Sequence, residues 1–378
     1  MKLQRNGRSK ALVVGAMALV SSLSLAACGS DDNSGGTGAA GASSAPAAAA
    51  ISCGKAGALM AAGSTAQSNA IDVWKTNFGN ACTGSSVNYA GGGSGAGVQQ
   101  FTQGKVQFAG SDSALKPAEV EATKAVCTGG QGIDLPMVAG LISIVFNVDG
   151  VDKLTLDGPT TAKIFDSQIT KWNDPAIAAL NPGVTLPAAD IQAFHRSDDS
   201  GTTDNLTKYF AKASGGVWTY APGKTWAGKG GQSAAGSAGL AAQVKQVKNS
   251  ISYVELSFAQ TNSLKSAAIN TGASKPVEAT AANAATTFSK AKIAGTGSDL
   301  SLTLDYATKE EGSYPLVLVT YEIVCDKGNK ADTLDTLKSF LTYAISDGGQ
   351  QAIGGDKGYV PLPKELSSKV QAIIPTLA

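Results

Sequence analysis

The feature that most restricts the fold is the apolar run from Leu135 to Val148, interrupted only by Pro136, Gly140, Ser143 and Asn147. Such a run reads as a strand buried on both faces, which belongs in a sheet covered by helices rather than in one open to water. The segments before it repeat one local design. Ala58–Gly63 is a small apolar strand, Ser64-Thr65-Ala66 turns the chain, and Ile71, Trp74 and Phe78 then share one helical face. Val87-Asn88-Tyr89 alternates as a strand, the Gly91–Gly97 turn exposes Ser94, and Val98 and Phe101 begin another short helix. Val106-Gln107-Phe108-Ala109 is a third strand, and Gly110-Ser111-Asp112-Ser113 ends it with a carboxylate at its carboxyl edge. In open α/β sheets ligands gather outside such edges.

Residues 1–27 stand apart from this pattern. Lys2, Arg5, Arg8 and Lys10 form a basic region, Ala11 to Leu25 a short apolar core, and Leu25-Ala26-Ala27 small residues before Cys28. The apolar core is too short to span a bilayer as a helix and reads as a secretory signal peptide. Residues 28–50 are rich in Gly, Ala and Ser and cannot bury a core, so they read as a flexible tether, with the fold starting near Ile51. Of 30 Lys+Arg, the four named lie in the signal, leaving 26 against 29 Asp+Glu and a net charge of −3. That balance carries no nucleic-acid or polybasic membrane footprint. Roughly 330 residues beyond the tether, in a chain 43% apolar, predict two domains. Besides Cys28 there are Cys53, Cys82, Cys127 and Cys325, with no CxxC pair. An even set of thiols in an exported chain predicts structural disulfides rather than a metal site, with three connectivities open.

The candidate site is His195-Arg196-Ser197-Asp198-Asp199-Ser200-Gly201-Thr202-Thr203. Leu206, Tyr209, Phe210 and Ala213 follow at i, i+3, i+4 and i+7, so a helix starts near Ser200 with one apolar face. The free amides and positive dipole end of such a helix, with a guanidinium four residues ahead of its first hydroxyl, outline an oxyanion site. An ordinary Ser/Thr cap beside a surface arginine fits the nonapeptide equally well. His195 is the sole histidine, so a Ser-His-Asp triad or multi-histidine metal site would have to use it. Its place beside Arg196 at a strand end reads as a packed or surface residue. Gly223–Gly230 has a GxxxxGK frame but ends in Gly where a phosphate loop needs Ser/Thr, and Gly91–Gly97 carries Ala96 where GxGxxG needs its last glycine. Both read as loops.

Taken in order, these segments resemble the phosphate-binding lipoproteins of bacterial phosphate-specific ABC importers. The resemblance runs from about Ile51 to the C-terminus. It is carried by Gly63-Ser64-Thr65, Val87-Asn88-Tyr89, Gly93-Ser94-Gly95, Val106 through Asp112, Leu154 through Gly158, Ile169 through Asp174 and Arg196 through Thr203. It implies an α/β fold, a two-lobed periplasmic-binding-protein clamp of type II-like form, each lobe a central sheet flanked by helices and joined by two hinge crossovers. Leu135–Val148 is then one crossing and Tyr314–Thr320 the return, giving lobe I as residues 51–139 and 316–378 and lobe II as residues 140–315. The implied phosphate ligands are Ser64, Thr65, Ala66 through its amide, Ser94, Asp112, Arg196, Ser200, Gly201 and Thr202, with Asp198 orienting the guanidinium. Family members carry an aromatic where Ala66 stands. With all four cysteines in lobe I, the expected pairs are Cys53–Cys82 and Cys127–Cys325.

Leu25-Ala26-Ala27-Cys28 likewise resembles a lipobox, which implies cleavage before Cys28 and a lipid on its sulfur. The expectation is a monomeric, non-catalytic receptor without cofactor or metal, lipid-anchored on the extracytoplasmic face, that passes inorganic phosphate to ABC permease subunits. Sulfate offers only acceptors to Asp112, whereas phosphate at neutral pH keeps a proton to donate. An exported phosphohydrolase using Ser200 or Thr65 as nucleophile, and a receptor for another tetrahedral oxyanion, are the alternatives.

Overall fold

A computed structural model of the chain describes residues 51–378. The expected signal peptide, Cys28 and the expected tether lie outside them. Nine strands form one sheet, eight of them in a continuous path. These eight are β1 (Ala58–Gly63), β2 (Ser86–Ala90), β3 (Phe108–Ser111), β4 (Gly132–Asn147), β5 (Gln192–Arg196), β6 (Gln232–Ala234), β7 (Ser250–Glu255) and β8 (Val317–Cys325). Their order is β2-β1-β3-β8-β4-β7-β5-β6, with the short Lys265–Ser266 added against β4. β1 runs parallel to β2 and β3, and β7, β5 and β6 run parallel to one another.

β4 is the shared spine, antiparallel to both neighbours. Residues from Gly132 to Leu141 pair with β8, and Ile142–Asn147 pair with β7. Apart from Asn147 the whole strand is buried, as its unbroken apolar sequence requires. The register against β8 shifts between Thr320 and Tyr321, where Tyr321 faces Pro136. Proline has no N–H for the ladder, so a bulge there keeps the pairing intact on either side. The return strand starts later and runs further than the apolar run Tyr314–Thr320 suggests. Pro315 cannot donate to a ladder, while the buried residues Tyr321–Cys325 continue it. β3 likewise begins two residues after Val106, although the Gln107 N–H still reaches Met60 O at 2.8 Å.

Helices flank the sheet as the hydrophobic spacing predicts. Helix α1 (Ser68–Ala81) buries Ile71, Trp74 and Phe78, and Phe340 meets Phe78 edge-on at 5.5 Å and stacks on Phe108 at 5.7 Å. Helix α2 (Ser94–Thr102) buries Val98 and Phe101. Helix α3 (Gly201–Ala213) buries Leu206, Tyr209 and Phe210, the last packing on Phe165 and Trp218. Helix α4 (Gly236–Gln246) covers β7 with Leu240, Ala241 and Val244. Disulfides join Cys53 to Cys82 and Cys127 to Cys325, with Cα atoms 5.4 and 5.3 Å apart.

Candidate functional site

Chain turns at the carboxyl ends of β1, β2, β3, β5 and β6 bring the candidate residues together. At the first, Gly63 adopts φ +140° and a Cβ there would lie 2.0 Å from Gly110 O, so only glycine lets β1 and β3 approach this closely. That approach sets Ser64 beside Asp112. Asp112 Oδ1 accepts from Ser64 Oγ at 2.6 Å and from Thr320 Oγ1 at 2.8 Å, and Oδ2 accepts from Ser94 Oγ at 3.3 Å. Burial pushes the Asp112 carboxyl up to about 6 against the Ser64 hydrogen bond, and Glu255 adds to the rise.

Arg196 ends β5 and is 2% exposed. Its Nε donates to Asp198 Oδ1 at 2.7 Å and its Nη2 to Asp198 Oδ2, a fork that fixes the guanidinium plane. Gly236 N–H donates to the same Asp198 Oδ1 at 3.0 Å. Burial alone would raise the Asp198 carboxyl, but the guanidinium outweighs it and holds it below the usual carboxylate range. The remaining Arg196 nitrogen, Nη1, lies 3.4 Å from Ser237 Oγ at the start of α4. Arg196 N–H donates to Tyr253 OH at 3.0 Å, which anchors the strand end.

The α3 N-terminus meets Ser94 and Asp112 directly. Gly201 N–H donates to Ser94 Oγ at 3.2 Å, and the Asp112 N–H reaches the same oxygen at 3.1 Å. A Cβ on Gly201 would lie 2.5 Å from Ser94 Oγ and 2.6 Å from Asp112 Cβ. Gly95 N–H donates to Asp199 O at 3.0 Å, and Ser237 N–H to Thr65 Oγ1 at 3.1 Å. A cleft of about 370 Å³ opens alongside, lined by Thr65, Asp198, Gly236, Ser237 and Phe258.

All nine expected anion ligands and Asp198 therefore lie at this junction, and several of their polar groups already have partners within the chain. Ala66 N–H donates to Ser64 Oγ at 3.0 Å. Ser200 Oγ caps the helix by accepting from Thr203 N–H at 3.2 Å. The Thr202 hydroxyl donates to Glu255 Oε1. Each is buried, and buried polar groups take partners where the chain offers them. Sequence reasoning missed Ser237, Glu255 and Thr320. Ser237 follows β6 in the same strand, hydroxyl turn and helix design as Thr65, and Glu255 ends a strand as Asp112 does, so both carried a usable signal. Thr320 lies mid-strand and carried none.

The other motifs have structural roles. His195 stacks on Trp226 at 4.9 Å with Nδ1 against Arg196 O at 3.0 Å, and burial lowers its pKa. Residues 223–230 form a loop whose Lys224 carbonyl accepts the Ser200 N–H at 2.9 Å, while its ammonium pairs with Glu119. Among the described residues no group of three or more His, Cys, Asp or Glu is arranged to hold a metal ion.

The sequence model of the PBP superfamily domain matches residues 37–348. Phosphate-binding protein PstS 3 of Mycobacterium leprae (strain TN) is 44% identical over 357 residues, covering 94% of this chain and 95% of that protein. Phosphate-binding protein PstS 3 of Mycobacterium tuberculosis (strain ATCC 25618 / H37Rv) is 42% identical over 381 residues, covering 100% of each. Among solved structures, the high-affinity periplasmic phosphate-binding protein PfluDING bound with phosphate superimposes with a TM-score of 0.69 at 22% identity, covering 84% of this chain and 93% of that one.

Proposed function

Since the chain belongs to the PBP superfamily, and within it to the PstS phosphate-binding proteins, we propose that it captures inorganic phosphate outside the cytoplasmic membrane and delivers it to an ABC permease. One observation supports this reading above the others. A buried guanidinium, the first turn of α3 and a buried carboxyl meet at the strand ends. Arginine and helix amides attract phosphate oxygens, and Asp112 accepts the proton that phosphate retains and sulfate lacks.

The two lobes, 51–139 with 316–378 and 140–315, close on the anion because only closure lets it touch both sides. The ligands are Ser64, Thr65, Ala66, Ser94 and Asp112 from lobe I and Arg196, Ser200, Gly201 and Thr202 from lobe II, with Asp198 orienting the guanidinium. The receptor acts as a monomer and does no covalent chemistry. Among the described residues the Ser200 and Thr65 hydroxyls make no hydrogen bond to a histidine or a carboxylate: Ser200 Oγ accepts from the Thr203 N–H, Thr65 Oγ1 pairs with Ser237, and His195 stacks on Trp226. Cys28 carries the lipid that holds it to the membrane, and residues 28–50 are its tether.

Isothermal titration with phosphate, arsenate and sulfate tests the reading. One-to-one binding of phosphate with sulfate excluded is expected, and a protein that binds no phosphate overturns it. Cys28→Ala is expected to release the protein from washed membranes with phosphate binding intact, and retention of the variant would show that something other than lipid anchors it.

A further inference from the structure

The far end of α3, roughly 18 Å along the axis from Gly201, forms one wall of a second cleft, of about 410 Å³. None of the nine expected phosphate ligands lines it. Its other walls come from Asp157 and Asn270, which face each other in register on two short parallel strands, and from the segment Tyr306–Lys309. Tyr209, on α3, is 2% exposed and lines this cleft, yet among the described residues its hydroxyl makes no hydrogen bond. A buried hydroxyl without a partner costs free energy, so this one calls for a partner inside the cleft. Lys212 and Lys309 line it as well, are exposed, and make no ion pair among the described residues. Asp157 is the lining's carboxylate, and it already accepts from Thr160 N–H at 2.8 Å as the cap of the helix Gly158–Phe165. We propose that this cleft is a second binding site, for a sugar acid, and that its occupation favours phosphate binding in the anion cleft; the coupling, though not the site, rests on the phosphate-receptor reading.

The two lysines call for negative charge, Tyr209 and Asn270 for hydroxyl groups, and the flat faces of Pro159, Pro315 and Tyr306 suit the C–H face of a sugar. A carboxylate monoanion fits better than a phosphate dianion. Asp157 would repel the second charge, and the helix start on this wall is closed to anions, because Asp157 holds the Thr160 N–H and Pro159 has none. Burial raises Tyr209 and Tyr306 above the ordinary phenol range, so both keep their protons near neutral pH. Tyr306 also links the two clefts. Its hydroxyl donates to Asn205 Oδ1 on α3, and Asn205 Nδ2 donates to Asp112 O at 2.7 Å and to Gly201 O at 2.8 Å. With its oxygen held by Tyr306, the Asn205 amide keeps its N–H groups turned toward Asp112 and the start of α3. A ligand packed on the Tyr306 ring fixes that arrangement before phosphate arrives, and by linkage phosphate favours the sugar acid by the same factor.

Titration calorimetry of the full chain with glucuronate and gluconate, and with glucose as the uncharged control, tests the proposal. At least one acid should bind one-to-one in both phosphate-free and phosphate-saturated protein, with glucose about tenfold weaker. The double variant Lys212→Ala, Lys309→Ala should weaken the acid about tenfold and leave phosphate affinity without acid unchanged. Tyr209→Phe removes only a hydroxyl and should weaken the acid about threefold. Because both lysines are exposed, the double variant decides the matter even if Tyr209→Phe does not fold. Saturating acid should raise phosphate affinity about fivefold, and Tyr306→Phe should cancel that gain while the acid still binds. Binding of neither acid, displacement of the acid by phosphate, or acid binding indifferent to the lysine pair overturns the site. An acid that binds without changing phosphate affinity overturns the coupling. A protein that binds the acid but no phosphate overturns the receptor reading and supports the site.

Discussion

Arg196 and Asp112 stand at the same junction of strand ends with different partners, and substitutions should separate them. Arg196→Ala removes the forked cation and leaves Asp198 without its partner, so phosphate binding should weaken by at least about 2–4 kcal/mol. Asp112→Asn keeps an oxygen for Ser64 and Thr320 and adds an N–H, so it should weaken phosphate less while raising sulfate affinity relative to phosphate. Competition titrations on both variants check this, and no gain for sulfate with a collapse for phosphate would remove the proton-reading role from Asp112. Glu322 presents a different residue-scale effect. Both its oxygens and Gln67 Oε1 are buried without partners, and burial pushes the carboxyl up to about 8. The Gln67 side chain opposes this rise without cancelling it. Because the folded-state value is raised, the folded protein binds more protons than the unfolded chain between about 4.5 and about 8, so stability is lost as pH rises through that window. Glu322→Gln should therefore show a smaller drop in Tm between about pH 6 and about pH 9 than the unaltered protein, and parallel curves would refute this account.

At the scale of elements, α3 is both a core helix and the wall of the site, and Gly201 lies where the two roles meet. Alanine favours a helix over glycine by roughly 0.5–1 kcal/mol, so Gly201→Ala should leave the helix intact. The added methyl would nevertheless meet Ser94 Oγ at 2.5 Å and Asp112 Cβ at 2.6 Å. Phosphate affinity should fall by about tenfold or more, equivalent to roughly 1.4 kcal/mol. Unchanged affinity would mean that α3 and the β3 end need not approach this closely when the anion binds.

For the molecule as a whole, the two disulfides close loops of very different length. Cys127–Cys325 spans 198 residues and Cys53–Cys82 spans 29. If chain entropy dominates, removing the first pair as a double Cys→Ser variant should cost about 1–2 kcal/mol more than removing the second. Urea unfolding of both variants measures the difference, and equal losses would place the effect in the folded state rather than in the unfolded chain.

What the sequence alone determined is what neighbouring residues settle between themselves. Three apolar positions at helical spacing locate the buried face of α1. Ser200 ahead of Gly201 starts α3 because its oxygen can reach the Thr203 amide. The Arg196–Asp198 spacing lets the chain fold the carboxylate back onto its own guanidinium. Only the tertiary structure decided which distant groups complete the site. Thr320 reaches Asp112, Glu255 takes the Thr202 proton and Ser237 meets Thr65 and Arg196, each across a large sequence separation. The same holds for burial of Glu322, whose raised pKa has no local cause in Tyr321-Glu322-Ile323. Caps and faces depend on backbone geometry over a few residues, whereas these pairings and the cost of burying a charge depend on strand order, which sets what stands beside each group and how much water remains there.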